Sequence, residues 1–173
     1  MNLKQAGSGA EVDERLAALL TNANAVRAIT AAVEGTIGPK GLDTMLVDRF
    51  GEVIITNDGV TILDKMDVNH PAAKMLINIA KAQQAEVGDG TTTATLMAGG
   101  LVSEGVNQVL RGVPIARVIE GLKYGIGRAL EEVRARAHKI EDIDDPILHS
   151  IAMIAGREYE DIAQLVVKAA RLI

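Results

Sequence analysis

Apolar residues recur three and four apart over most of this chain, and the recurrence breaks only at a few glycine-bearing stretches. Residues so spaced share one face of an α-helix, which commits the fold to helices packed face to face. Leu16, Leu19, Leu20, Val26, Ile29 and Val33 mark a first helix from Glu11 to about Gly35. Met75, Leu76, Ile79 and Val87 stripe a second, opened by Pro71 at a first-turn position where its missing N–H has no intrahelical partner to lose. A third runs from about Thr91 to Leu110. A fourth runs from Pro114 to about His138, with Ile115, Val118, Ile119, Leu122, Ile126, Leu130 and Val133 on its face. Shorter helical stretches at 146–155 and 158–173 follow the acidic segment IEDIDDP (Ile140–Pro146), a natural boundary. Two β-favouring runs, Thr44–Asp48 and Val53–Asn57, flank RFGE as a hairpin, and a short helix, GVTILDKM, follows. Residues 1–10, polar with glycine and serine, read as an arm or tail. The expected fold is mainly α with one β-hairpin.

Phe50, Tyr124 and Tyr159 are the only aromatic residues among 173, so the core must be built from aliphatic side chains. Met45, Met66, Met75, Met97 and Met153 read as filler in that core. Gly99, Gly100 and Gly105 each weaken the third helix by up to about 1 kcal/mol relative to alanine, a cost that close packing of a neighbour offsets. A net charge of −5 with so few aromatics argues against nucleic acid as a partner. Cysteine is absent, which removes disulfides and thiolate metal sites. The first twenty residues lack the apolar run of a signal peptide. No run approaches the roughly 18 apolar residues of a membrane span. A cytoplasmic protein with no membrane partner is expected.

The polar chemistry gathers in three glycine loops: TIGPKG (Thr36–Gly41), NDG (Asn57–Gly59) and GDGTTT (Gly88–Thr93). Each joins two elements. Glycine lets backbone N–H groups turn toward a ligand, and a helix N-terminus offers unpaired N–H groups that suit phosphate. Threonine hydroxyls after Gly90 add donors, and Asp89 can hold a Mg²⁺ that bridges phosphates. Asp58, at a strand end, can orient a water for phosphoryl transfer. Each loop also has a plainer reading: Asp89 as a helix N-cap, Asp58 as an Asx-turn residue closing the hairpin. No GxxxxGK[ST] loop occurs, which excludes the ordinary P-loop. YGIGRA (Tyr124–Ala129) lies within a helical stripe and lacks the last glycine of a dinucleotide loop. His70, His138 and His149 are too scattered for a metal site and read as structural.

TIGPKGLDTMLVD, ITNDGVTIL, HPAAKML and AEVGDGTTTATLMAG, in that order, closely resemble the chaperonin family, and NDGVTIL and HPAAKM resemble its archaeal-type, group II (thermosome-like) branch, a bacterial group II-like member being the alternative. The resemblance is strong over roughly residues 20–140 and loose beyond. It implies that Thr36, Ile37, Gly38 and Pro39 wrap the adenosine and phosphates of ATP. It implies Asp89 as the Mg²⁺ ligand, with Gly90, Thr91, Thr92 and Thr93 as phosphate donors. Asp58 then sets the attacking water near the γ-phosphate, with Gly59 beside it. The cofactors implied are ATP and Mg²⁺, with K⁺ a further candidate.

The same resemblance assigns residues 1–143 to the first half of an equatorial, ATP-binding domain and 144–173 to the start of an intermediate hinge domain. The 44–57 hairpin and the N-terminal arm resemble segments that pair with a neighbouring subunit's strands. Family members are far longer than this chain, so the apical domain and both carboxyl-terminal halves are expected to be missing, and with them the surface that binds unfolded clients. The expected whole is an ATPase whose related subunits form a double ring for protein folding. The alternative is a non-hydrolysing assembly module that lacks the second half of the site. SIAMIAGREYEDI matches only loosely, and Gly156 is a minor candidate for nucleotide contact.

Overall fold

The computed structural model describes residues 6–38, 40–47, 50–156 and 159–172. Among the described residues, seven helices and a hairpin follow one another: α1 (Ala6–Glu34), β1 (Thr44–Val47), β2 (Val53–Thr56), α2 (Gly59–Lys65), α3 (Pro71–Glu86), α4 (Thr91–Leu110), α5 (Ile115–Arg136), α6 (Ile147–Ala155) and α7 (Glu160–Ala170). The mainly helical reading with one hairpin holds. Residues 6–10 are helical, which corrects the expectation of an arm across 1–10; residues 1–5 lie outside the described set. So do Asp48 and Arg49 of the expected strand and turn. The chain divides into two compact units, Met1–Gly125 and Ile126–Ile173, and α5 begins in one and ends in the other.

The core of the first unit is one aliphatic cluster. Val26, Ile29 and Val33 of α1 meet Ile62 and Leu63 of α2 and Ala73, Leu76, Ile77 and Ala80 of α3. Ile62, Leu63 and Val33 are among the largest side chains to vanish completely from solvent, and each such burial contributes about 1.5–3 kcal/mol. The buried face of α3 differs from the stripe expected for it. Met75 is 69% and Val87 67% exposed, because Ala73 and Ala80 take the inward positions and let α1 and α2 approach closely. Met45 and Met97 are likewise exposed rather than core filler, whereas Met66 packs against the cluster. Glu14–Glu34 of α1 is long and apolar enough to cross a membrane by length and composition. A core helix passes the same test, and Ala23, Val26, Ile29 and Val33 of this one are buried.

The hairpin is antiparallel with Thr44 opposite Thr56 and Val47 opposite Val53. Alternation along each strand turns Leu46 toward the core and leaves Met45, Val47, Val53 and Ile55 exposed, so the outer face is apolar. Helix α3 starts with Pro71 after His70, whose Nδ1 accepts the Ala72 N–H at 3.3 Å, a structural role as expected of a lone histidine. Lys81 of α3 pairs with Asp64 of α2 at 2.5 Å; both are half exposed, so the pair contributes at most about 1 kcal/mol. The lysine draws the Asp64 carboxyl below its ordinary range, first by hydrogen bonding and then by charge.

The stripe on α5 is only lightly covered. Val118 and Leu122 are half-buried beside Gly105 of α4, while Ile115, Ile119, Ile126, Leu130 and Val133 are exposed. In the second unit α6 and α7 pack on each other, with Ala163 fully buried. His149 Nε2 lies 3.3 Å from Glu160 Oε1, and Arg171 pairs with Asp144 at 2.9 Å.

Candidate functional site

Each of the three loops joins two elements of the first unit, and each is shaped by its own hydrogen bonds. At NDG, Asp58 is extended and caps α2. Its Oδ2 accepts the Thr61 N–H at 3.0 Å and the Thr61 hydroxyl at 2.5 Å, while its own N–H donates to Thr56 Oγ1 at 3.1 Å. The plainer reading of Asp58 as a local turn residue is therefore realised in the form of a helix cap. One oxygen carries both bonds. Among the described residues, nothing hydrogen-bonds Oδ1.

At GDGTTT, Gly88 (φ 81°) and Gly90 (φ 78°) are both left-handed, a conformation that side chains disfavour, and they fold the chain sharply between α3 and α4. Asp89 between them is exposed. Its Oδ1 accepts the N–H of Gly90 at 2.7 Å, and its carbonyl accepts Gln83 Nε2 at 2.8 Å. The N-cap of α4 is Gly90, with no side-chain cap, so Asp89 does not fill the capping role that the plainer reading gave it. Among the described residues, the first-turn N–H groups of α4 thus have no side-chain acceptor, and they suit an anion. Thr91 is buried, Thr92 half-buried and Thr93 exposed.

At TIGPKG, Thr36 is buried and its hydroxyl donates to the Val33 carbonyl at 2.7 Å, closing the end of α1. Ile37 and Gly38 are exposed, and Pro39 lies outside the described residues. The Gly41 N–H returns to the Gly38 carbonyl at 2.9 Å, so the loop turns back on itself.

Packing brings the loops together. Gly59 is buried against α4: a Cβ there would overlap Thr92 Oγ1 and stand 3.1 Å from the Thr92 N. NDG and GDGTTT are therefore in direct contact. Helices α1 and α4 run antiparallel, since Arg27 Nε donates to Ser103 Oγ at 3.3 Å and Thr30 presses on Gly99 one turn further along. Following that register, the last turn of α1 and Thr36 reach the first turn of α4. All three loops thus gather at one end of the bundle. Among the described residues, no hydrogen bond joins TIGPKG to the other two.

A Mg²⁺ held by the chain alone would need more ligands than the site presents. Among the described residues no group of three or more carboxylates and histidines could hold a metal. A lone exposed carboxylate beside an uncapped helix start does fit a Mg²⁺ that keeps its waters and is shared with phosphate. Two hollows of the first unit lie elsewhere, one between the hairpin and α2 (Leu46, Phe50, Ile54, Met66) and one between α2 and α3 (Leu63, Val68, Ile77, Lys81). Neither includes a candidate residue, and their mixed, open linings carry no grouped chemistry.

Two residues that shape the loops escaped sequence reasoning. Thr61 was visible in principle, as a hydroxyl residue three places after a capping acid. Gln83 left no local signal, because its partner is set by how the chain turns back. Gly41, already within TIGPKG, stands where a Cβ would run into the Thr36 carbonyl.

The chain matches the TCP-1/cpn60 chaperonin family over residues 29–173. It is 42% identical over 158 residues to a thermosome subunit of Methanocaldococcus jannaschii, covering 88% of this chain and 29% of that protein. To the thermosome subunit beta of Archaeoglobus fulgidus it is 46% identical, with the same coverage. Among solved structures, a group III chaperonin in the open state superposes with a TM-score of 0.82 and 54% identity, over 93% of this chain and 33% of that one. The chain thus spans about a third or less of the relatives it matches.

Proposed function

Because the chain belongs to the TCP-1/cpn60 chaperonin family, we propose that it supplies one wall of the ATP site of a chaperonin subunit, which hydrolyses ATP with Mg²⁺ to drive protein folding. The observation that carries this reading is the contact of Gly59 with Thr92, which joins the loop bearing Asp58 to the loop bearing Asp89. Bound Mg²⁺ would neutralise phosphate charge at Asp89. The chain's own share is to bind and orient. Gly90, Thr91, Thr92 and Thr93 offer donors to phosphate oxygens, and Thr36, Ile37, Gly38 and Pro39 form the expected flank for the nucleotide. Asp58, with Oδ2 held by Thr61, keeps Oδ1 to accept a proton from the attacking water and aim it.

Residues 1–143 then belong to an equatorial domain and 144–173 to the start of a hinge, in a cytoplasmic double ring of related subunits. The apolar outer face of the hairpin supports pairing with a neighbouring subunit, since Met45, Val47, Val53 and Ile55 face solvent together. The exposed stripe of α5 supports burial by the remainder of a longer subunit. Unfolded clients would bind outside the matched region.

ATPase activity with and without Mg²⁺, measured beside native mass, tests the reading. Turnover by a ring-sized particle is expected, and a small species that neither binds nor hydrolyses ATP refutes it for this chain. Asp58→Ala should keep ATP binding and abolish turnover; turnover at the wild-type rate would remove Asp58 from its role.

A further inference from the structure

We propose that Gln83 is a positioning residue for the Asp89 loop, its side-chain amide fixing the Asp89–Gly90 peptide so that the Asp89 carboxylate and the Gly90 N–H serve one metal-bound phosphate. The inference rests on the ATP reading above and extends it to a residue outside the glycine motifs.

Gln83 stands in the last turn of α3 and uses both of its polar ends on the connection that follows. Its main-chain carbonyl accepts the N–H of Val87 at 2.9 Å and of Gly88 at 3.3 Å. Its side-chain Nε2 donates to the Asp89 carbonyl at 2.8 Å. One residue therefore brackets the whole turn from Val87 to Gly90. The same Nε2 lies 3.3 Å from where a Cβ on Gly90 would stand, so the amide covers the Asp89–Gly90 peptide.

The consequence follows from the geometry of a trans peptide, in which C=O and N–H point in opposite directions. No cis peptide bond occurs among the described residues. Pinning the Asp89 carbonyl toward α3 therefore aims the Gly90 N–H away from α3. There it meets Asp89 Oδ1 at 2.7 Å, so one anionic oxygen already occupies the direction in which that N–H points. With glycine on both sides of Asp89, the backbone has little steric preference of its own, and the amide supplies the missing constraint. An amide is the required chemistry. A glutamate here would set lone pairs against the Asp89 carbonyl and add negative charge beside a phosphate. Gln84, next in sequence, is exposed, and among the described residues its side chain makes no hydrogen bond.

Calorimetric titration of the chain with ATP, in Mg²⁺ and in chelator, tests the assignment on the wild type, Gln83→Ala, Gln83→Glu and Gln84→Ala. Groups that orient a metal ligand change metal affinity about 10–100-fold. Both Gln83 variants should therefore weaken Mg·ATP by about 10-fold or more while metal-free ATP changes much less, and Gln84→Ala should match the wild type. A purely structural loss would weaken both ligand forms alike. Equal Mg·ATP affinity in Gln83→Ala and wild type overturns the proposal. A wild-type chain that binds no ATP overturns the ATP reading instead. In that case the side-chain amide protons decide the positioning claim: those of Gln83 should exchange more slowly than those of Gln84, and Gln83→Ala should shift the Gly90 amide resonance. Equal exchange and an unmoved Gly90 resonance overturn it.

Discussion

Two adjacent glycines of α4 face opposite surroundings, and replacing each by alanine separates helix propensity from packing. Among the described residues, nothing beyond the backbone of α4 itself and the two neighbours of Gly100 lies within 4 Å of where its Cβ would stand. Gly100→Ala should therefore stabilise the chain by the propensity difference, about 0.5–1 kcal/mol. At Gly99 the same methyl would overlap the Cγ2 of Thr30 on α1. Thr30 cannot simply rotate, because its hydroxyl donates to the Arg27 carbonyl at 2.9 Å and to the Val26 carbonyl at 3.3 Å. Breaking such a bond costs about 0.5–1.5 kcal/mol. The other route separates α1 from α4 and loosens the cluster at Val26, Ile29 and Val33. Either way the overpacking cost is about 1–3 kcal/mol, and since propensity is common to both variants, that is also the expected gap between them. Urea unfolding followed by far-UV circular dichroism measures it. Thr30→Ser removes Cγ2 and leaves the nearest remaining Thr30 atom 3.3 Å from the added methyl, so Gly99→Ala in that background should recover most of the loss. If Gly99→Ala is as stable as Gly100→Ala, the close approach of α1 to α4 is wrong, and with it the register that carries Thr36 to the candidate site.

Gly59→Ala should push Thr92 and weaken Mg·ATP binding, read by calorimetry, while far-UV dichroism stays near wild type. Ile62→Ala empties a fully buried position and should cost about 2–5 kcal/mol in urea unfolding. In the second unit, the Ile147 N–H and then the His138 imidazole hold the Asp145 carboxyl below its ordinary range. The stability this lends the start of α6 is present above the ordinary carboxylate pKa of about 3.9 and is lost as pH falls through the lower folded value. Carbon-detected NMR of Asp145 should show the depressed midpoint, and Asp145→Asn should remove that acid-side loss from α6.

The bounds of α4 were legible from the sequence, Thr91 to Leu110 as expected, whereas α1 begins five residues before the expected Glu11. Periodicity reports which face is apolar, and helical geometry is local, so the tertiary fold has little say in it. The three loops were equally legible as turns, because glycine, threonine and aspartate mark them.

What the sequence left open was decided by packing. Spacing marks an apolar face but does not say what covers it, so Met75 and Val87 joined the α3 stripe while Ala73 and Ala80 were the residues that went inside. For the same reason it predicted a stripe on α5 that within this chain is mostly open. Distant partners carry no local mark either. Only the turn between α3 and α4 brings Gln83 to Asp89, and only the antiparallel approach of α1 and α4 carries Thr36 toward the Asp58 and Asp89 loops. The sequence by itself determined which segments coil and which loops gather glycine, threonine and aspartate. The tertiary structure decided which of those loops meet, because meeting depends on close contacts such as Gly59 on Thr92 and Thr30 on Gly99, and these exist only once the helices are packed.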